Sequence, residues 1–470
     1  MKKKTKIVAT ISDLKCDVEF IRELYESGMN VVRLNTAHQT EEDTLKIINN
    51  VKQVSDRIAL LLDTKGPEIR TRTDEPLVLD KDDTVYVANN KCSISNLPLL
   101  YTSYEQFIDE IPLESSILID DGEIEIRVKE RNEYGLKCKV LNPGTIKNKK
   151  SINVPNVSFS LPSVSDKDKG YIKFAVKHDI DFIAHSFVRN KEDVLAIQEI
   201  LDAGKSEIKI IAKIENHEGV ENINEILDHV YGIMVARGDL AIEIPYEKIP
   251  GIQKKLINKC IDRRKPVIIA TQMLHSMINH PRPTRAEVSD IANAIYSKAD
   301  AIMLSGESAY GKYPVEAVRT MAKVAQEVEK SRSDFHNTPV AILSNEISAY
   351  LSKSAVQATL KLKAKAIIAD TTTGRTIRNM AGYRGKRIVY AQCYSKRTVR
   401  ELALSFGIYP EFQEPNEEHE FVYQALQKLV KNGKLSLKDR VVVVGGNFGR
   451  HNGASFMEIS SVSNTLNSVD

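Results

Sequence analysis

Lys209-Ile210-Ile211-Ala212-Lys213-Ile214-Glu215 and, a helical stretch later, Gly232-Ile233-Met234-Val235-Ala236-Arg237-Gly238-Asp239 decide the fold of this chain. Each begins as a short apolar run rich in Ile and Val and ends on charge. Runs of this kind, alternating with helical segments, read as buried strands of a parallel sheet. The same grammar extends downstream to 266–271 and 299–305 and upstream to 181–187. It returns near the start at 6–10, 30–35 and 59–64, where 17–28 and 41–56 read as amphipathic helices and Gly28 as a C-cap. Three such strands precede 70–161 and five follow it, which predicts a (β/α)8 TIM barrel.

The intervening segment reads differently. Short alternating stretches at 84–88, 117–119, 123–128 and 136–141, with turns at Asp120-Asp121-Gly122 and Asn142-Pro143-Gly144, have all-β texture. Beyond about Asn345 a further α/β set follows, with strands expected at 366–371, 387–393, 408–412 and 439–446 in a mixed sheet. The predicted organisation is a discontinuous barrel (1–69 and 162–340), an inserted all-β lid domain (70–161) and a C-terminal α/β domain (341–470), with 334–339 the softest linker.

Composition fits a soluble globular protein and argues against other classes. The 470 residues are 42% hydrophobic and 27% charged, ordinary for a soluble globular protein of about three domains. A net charge of +3 gives no footprint for nucleic acid or a membrane surface. No apolar run approaches the about 20 residues of a membrane span, and the stretch at 7–11 after Lys2 to Lys4 is too short for a signal-peptide core. Cys16, Cys92, Cys138, Cys260 and Cys393 are dispersed without a CxxC pair, which suits a reducing, cytoplasmic compartment.

In a barrel of this type the loops after the strands build the site. The expected strand ends carry Arg33 and Asn35, Asp63 and Thr64, Ser186, Lys213 and Glu215, Asp239, Thr271 and Ser305. Polar tips on seven of eight strands are more than stability requires. Glu215 and Asp239 on adjacent strands suit Mg²⁺, which takes one or two carboxylates besides substrate oxygens and water. Arg33 and Lys213 bring the positive charge that a transferring phosphoryl group needs. Lys213 alone could be a Schiff-base lysine, but the acidic pair beside it favours the electrostatic role. Thr271 can orient a reacting carbon or a water.

Two motifs are set aside. Residues 306–313 nearly match a P-loop, but Tyr313 stands where a Ser or Thr must meet the metal. Arg237-Gly238-Asp239 matches an adhesion tripeptide only by coincidence, being at a buried strand end. Thr284 with Glu287 reads as a capping box.

Thr5 to Thr10, Gly28 to Val31 with Arg33-Leu34-Asn35, Leu62 to Arg70, Lys213 to Asn216, Ile233 to Leu240, Ala270 to Leu274 and Met303 to Glu307, in this order, resemble pyruvate kinase. The resemblance implies transfer from phosphoenolpyruvate to ADP, giving pyruvate and ATP in glycolysis, with Mg²⁺ and K⁺, in an allosteric homotetramer. By position, Lys213 and Arg33 would serve the migrating group, with Ser186 among the substrate-binding residues. Glu215 and Asp239 would hold Mg²⁺, Gly238 would offer its N–H to the substrate carboxylate, and Thr271 would lie beside the enol carbon. Arg70, Lys150 and His38 resemble nucleotide contacts, and Asn35, Asp63 and Thr64 the K⁺ ligands. Ala37 replaces a serine of the family's K⁺ site while Glu68 is kept, so weakened K⁺ binding is expected; Ser12-Asp13 replaces a usual Gly-Pro beside the nucleotide. Thr371, Thr373, Gly374, Arg375 and Thr376 resemble a sugar-phosphate effector loop, and 447–454 a second one. The extra phosphohistidine-type module of some bacterial relatives is expected to be missing.

Two other readings compete. A Mg²⁺-dependent lyase on pyruvate-like enolates would use Glu215, Asp239 and Arg33 but would ignore ADP. A non-catalytic descendant would explain Ala37 and Ser12-Asp13, yet every inferred chemical residue is retained.

Overall fold

Eight short apolar strands close on one another: β1 (Lys6–Thr10), β2 (Val31–Asn35), β3 (Ala59–Asp63), β4 (Phe182–His185), β5 (Lys209–Ile214), β6 (Gly232–Ala236), β7 (Val267–Ala270) and β8 (Ala301–Leu304). All neighbours are parallel, and β1 pairs with both β2 and β8, so the sheet has no edge. The computed structural model describes residues 3–88, 98–331, 346–414, 421–446 and 453–467; the expected linker at 334–339 lies outside them. Alternate residues divide between two cores. Val31, Leu61, Phe182, Ile211, Met234 and Ile268 fill the barrel, while Val32, Leu62, Ile183, Ile210, Val235 and Ile269 face the surrounding helices. Burial on both sides is why these strands are apolar throughout rather than alternating.

Local chemistry sets the helix ends. Asp17 accepts from the Phe20 N–H at the start of helix Val18–Ser27, and Gly28 ends it at φ 123°, where a side chain would be strained. Both reciprocal bonds of the Thr284–Glu287 capping box form ahead of helix Arg285–Tyr296. Glu287 also accepts from Ser276 N and Oγ, which ties the loop after β7 to that helix. Residues 306–313 do not cradle phosphate. Glu307 is buried, and its carboxylate instead accepts from the backbone N–H groups of Leu274 and Ser305.

Between β3 and β4 the described residues form a separate closed barrel of seven strands. Its first and last strands, Ile69–Arg72 and Ser151–Asn153, pair with each other, so the insertion leaves and re-enters the large barrel side by side. At the tip of one hairpin, Asp120, Asp121 and Gly122 all have positive φ (55°, 57° and 88°). Such a turn favours Asp, Asn and Gly.

The tail is a five-stranded sheet: β9 (Ala366–Thr371), β10 (Ile388–Cys393), β11 (Ile408–Phe412), β12 (Arg440–Gly446) and β13 (Ala454–Ser461), in the order β11-β10-β9-β12-β13. Among the described residues of this sheet only the β12–β13 pair is antiparallel. The strand β13 is missing from the sequence reading because its residues are mostly half-exposed and lack an apolar run. The tail meets the barrel through a polar seam. Arg384 forms a bidentate pair with Asp300 (2.9 and 2.5 Å), both 3% exposed, and Arg400 Nε bonds Asp181 Oδ1 (2.7 Å). Among the described residues no helix is long and apolar enough to cross a membrane.

Candidate active site

Register brings the strand ends to one level: Thr10 lies beside Arg33, Asn35 beside Asp63, and Asp63 beside Ala184. Side chains from the ends of five strands, β1 to β5, then converge. The Lys213 ammonium lies 3.1 Å from Asp63 Oδ1 and 3.0 Å from Glu215 Oε1, and it donates to Ser186 Oγ (2.7 Å). Arg33 Nε bonds Asp63 Oδ2 at 2.5 Å, and its Nη1 donates to Thr10 Oγ1 (3.1 Å). Asp63 is therefore the hub that holds both cations, more than the K⁺ ligand the sequence suggested. Ser186 is positioned in turn by donating to the Thr64 carbonyl (2.7 Å).

The electrostatics follow from burial. Desolvation opposes a charge on Lys213, but Asp63 and Glu215 outweigh it and hold the ammonium well above its ordinary range. Burial likewise opposes the Asp63 charge, yet Arg33 and Lys213 keep its carboxyl below the ordinary value. Glu215 differs: burial pushes it up to about 7 even with Lys213 adjacent. Asp239 is also raised, first by burial, with Asp121 at the lid tip adding repulsion. The two carboxyls are within hydrogen-bonding reach of each other. As two bare anions this pair is costly in such a setting, and a divalent cation between them offsets that cost. The donor set thus fits a hard cation, with substrate and water supplying the remaining oxygens. Among the described residues no cluster of three His, Cys, Asp or Glu side chains is arranged for a metal.

A cleft of about 1110 Å³ runs from this mouth along the lid. It is lined by Arg33, Asp63, Lys213, Glu215 and Asp239, by Asn35, Thr64 and His38, and on the lid side by Arg70 and Lys149. Arg70 is held by Glu68 Oε2 (Nε 3.0 Å, Nη2 2.5 Å) and by the Lys149 carbonyl (2.7 Å). Lys150 is not brought to the cleft; its ammonium pairs with Asp120 at 2.7 Å. Thr271 and Gly238 are not among the residues that line this cleft but sit together, Gly238 N donating to Thr271 Oγ1 (2.9 Å). Thr271 and Gln272 have φ of 69° and 53°, a left-handed conformation that is an outlier for a β-branched residue and typical of functional loops. Arg237 sustains it by donating to the Ala270 and Thr271 carbonyls (3.2 and 2.7 Å) while pairing with Asp290 (2.6 Å). That role is invisible in sequence, where Arg237 lay in a family-like stretch and a coincidental tripeptide and was given no role of its own. The loop 371–376 lies elsewhere, in the tail. There Gly374, at φ 75°, donates its N–H to Thr371 Oγ1 (2.8 Å), and the Thr376 and Ser348 hydroxyls are 3.1 Å apart. Residues 447–452 of the second expected loop lie outside the described residues.

Residues 2–318 match the family described as pyruvate kinase, barrel domain, and 350–460 match pyruvate kinase, alpha/beta domain. The chain belongs to the pyruvate kinase family. It is 49% identical over 471 residues to the pyruvate kinase of Borreliella burgdorferi, covering 99% of this chain and 98% of that protein. It is 43% identical to a pyruvate kinase of Staphylococcus epidermidis and 42% identical to one of Staphylococcus aureus, in each case over 94% of this chain and 78% of the relative. The pyruvate kinase reaction takes phosphoenolpyruvate and ADP to pyruvate and ATP, so the chain is a phosphotransferase of glycolysis, in a family that needs a divalent metal and a monovalent cation. With the family shown, the lyase reading of this barrel falls away.

Proposed function

We propose that the Lys213 cluster is the phosphoryl-transfer centre of this pyruvate kinase. The observation that carries the reading is the convergence of one ammonium and two acids on a single buried point: Lys213 lies 3.0 Å from Glu215, which reaches Asp239. Lys213 and Arg33 neutralise the charge that spreads over the migrating group. Glu215 and Asp239 hold Mg²⁺, which supplies Lewis-acid stabilisation of the phosphoryl oxygens when bound. Gly238 N and Ser186 Oγ orient the substrate, the Gly238 N–H exchanging its bond to Thr271 Oγ1 for the substrate carboxylate. Thr271, freed at the same moment, faces the enol carbon that gains a proton.

Arg70 and His38 take the nucleotide phosphates. Lys150 joins them when lid closure draws it from Asp120. Closure also removes water, the competing acceptor. Asn35, Asp63 and the Thr64 carbonyl bind K⁺, with water in place of the hydroxyl that Ala37 lacks. Thr371, Thr373, Gly374, Arg375 and Thr376 form an effector loop.

Three units, 1–69 with 162–340, 70–161 and 341–470, are supported by separate apolar clusters in barrel, lid and tail. The family likeness supports a cytoplasmic homotetramer, which light scattering tests. The deciding experiment is a coupled assay for pyruvate from phosphoenolpyruvate and ADP, run with and without Mg²⁺ and K⁺. No pyruvate under any of these conditions would overturn the assignment.

A further inference from the structure

The lid wall of the large cleft carries groups that the Lys213 centre does not use. In the first lid strand, Ile69–Arg72, exposure alternates: Ile69 and Thr71 are buried within the lid, while Arg70 is half-buried and Arg72 exposed. Both arginines line the cleft. Residues two apart on a strand share a face and stand about 7 Å from each other, so Arg72 lies one step farther along the lid than Arg70. Directly opposite Arg72 in register, on the neighbouring strand Leu99–Thr102, is Tyr101. Side chains paired in this way are about 5 Å apart at Cβ, and the half-buried Tyr101 lines the same cleft.

The other neighbouring segment explains which lysine reaches the cleft. Lys149 N donates to the Thr71 carbonyl (2.9 Å) while Thr71 N donates to the Lys150 carbonyl (2.8 Å), so two consecutive lysines lie against one threonine. Lys149 takes φ 62° there. A bulge of this kind re-aims side chains. Lys150 goes to Asp120, and Lys149 joins Arg70, Arg72 and Tyr101 along the cleft.

These cations differ in how far they are committed. Arg70 spends two nitrogens on Glu68 and a third on the Lys149 carbonyl. The side chains of Arg72 and Lys149 are exposed and make no hydrogen bond or ion pair with the described residues. The acids at this end of the cleft are Glu68, held by Arg70, and Asp74, exposed just past the strand. Like charges gathered on one wall repel, and an anion seated among them removes that cost. An aromatic ring beside them supplies a face on which a base can stack.

We propose that Arg72, Lys149 and Tyr101 form the nucleoside end of the ADP site, with Arg72 and Lys149 on the phosphate next to the ribose and the base stacked on Tyr101. The proposal rests on the reading of Arg70 and His38 as contacts to the nucleotide phosphates and extends that reading outward along the lid. Phosphate, ribose and base then run from Arg70 toward Tyr101.

The test is steady-state kinetics of the full chain at fixed free Mg²⁺, with ADP varied at saturating phosphoenolpyruvate and the reverse. Arg72→Gln and Lys149→Gln, both at exposed positions, are each expected to raise KM for ADP about tenfold, the effect falling there rather than on kcat or on KM for phosphoenolpyruvate. Tyr101→Leu removes the ring and keeps an apolar side chain; it is expected to raise KM for ADP by a similar factor. Pyrophosphate, which carries no base, separates the two roles. Its competition with ADP should weaken in Arg72→Gln and Lys149→Gln and persist in Tyr101→Leu. An unchanged KM for ADP in the Arg72 and Lys149 variants, or a parallel rise for phosphoenolpyruvate, overturns the outer phosphate contact. An unchanged KM for ADP in Tyr101→Leu, or weakened pyrophosphate competition there, overturns the stacking role. Arg70→Gln tells the two readings apart: if it alone raises KM for ADP, the inner contacts stand and the outer ones fall, and if it too has no effect, both fall.

Discussion

Replacing Lys213 by Met keeps the length of the side chain and removes its charge. In the wild type the ammonium, 12% exposed, sits within about 3 Å of Asp63 and Glu215, so it occupies the place where a phosphoryl oxygen would be neutralised. Two unit charges 4 Å apart interact by about 4 kcal/mol at the effective dielectric near 20 that suits protein sites. Each 1.36 kcal/mol of barrier is about tenfold in rate, so kcat is expected to fall about a thousandfold. The loss should appear in kcat, because the charge it serves peaks in the transition state. Metal affinity should change little. Glu215 and Asp239 remain, and the cation competing for Glu215 is gone. The variant should also fold, since Asp63 keeps its bond to Arg33. The assay couples pyruvate formation to a chromogenic step, with Mn²⁺ titration by electron paramagnetic resonance alongside. A kcat within tenfold of wild type, or metal affinity lost in parallel with turnover, would refute the reasoning.

Other perturbations test other links. Arg384→Met strands the buried Asp300 carboxylate at the barrel–tail seam and should cost about 3–5 kcal/mol in urea unfolding, partly recovered by adding Asp300→Asn; full stability in the single variant would show that the seam does not need the pair. His185 is buried, and desolvation pushes its imidazole down to about 4. Its unfolded counterpart takes a proton near pH 6.5, so the unfolded state binds more protons between the two values. This contribution to stability is complete above pH 6.5 and is lost as pH falls toward 4, by about 2 kcal/mol between pH 7 and 5. Asp181, pushed up to about 6 mainly by burial, acts with the opposite sign, so the comparison is made between wild type and His185→Leu. The variant should lose less stability on acidification, and parallel profiles would count against it. Ala37→Ser restores a hydroxyl at the edge of the mouth and should lower the K⁺ concentration for half-maximal activity several-fold; an unchanged activation curve, or full activity without K⁺, would remove K⁺ from the Asn35–Asp63–Thr64 site.

Much of the catalytic barrel was legible because its physics is local. Strands buried on both faces must be apolar throughout, so 209–214 and 232–236 stand out against amphipathic helices, and reactive residues stand out as polar breaks at strand ends. The Thr284–Glu287 box and the Gly28 cap were equally readable, since a cap is settled within four residues. Where a signal depended on a distant partner, the reading failed. The strand β13 is half-exposed and shows itself only by pairing with β12. Arg237 looked incidental until its guanidinium was seen bracing the left-handed turn at Thr271.

What the sequence determined by itself was the order and type of the elements, and with them the set of groups available for chemistry: one lysine, one arginine and two acids at the ends of parallel strands. Tertiary structure alone decided how those groups share one another. That Asp63 holds Arg33 and Lys213 together, that Lys150 is held by Asp120 while Lys149 lines the cleft, and that Arg384 of the tail meets Asp300 of the barrel are consequences of register and domain packing. The physical reason is range. Periodicity and capping act over a few residues and are written in order along the chain, whereas charge acts through space between residues whose separation in sequence says nothing of their distance.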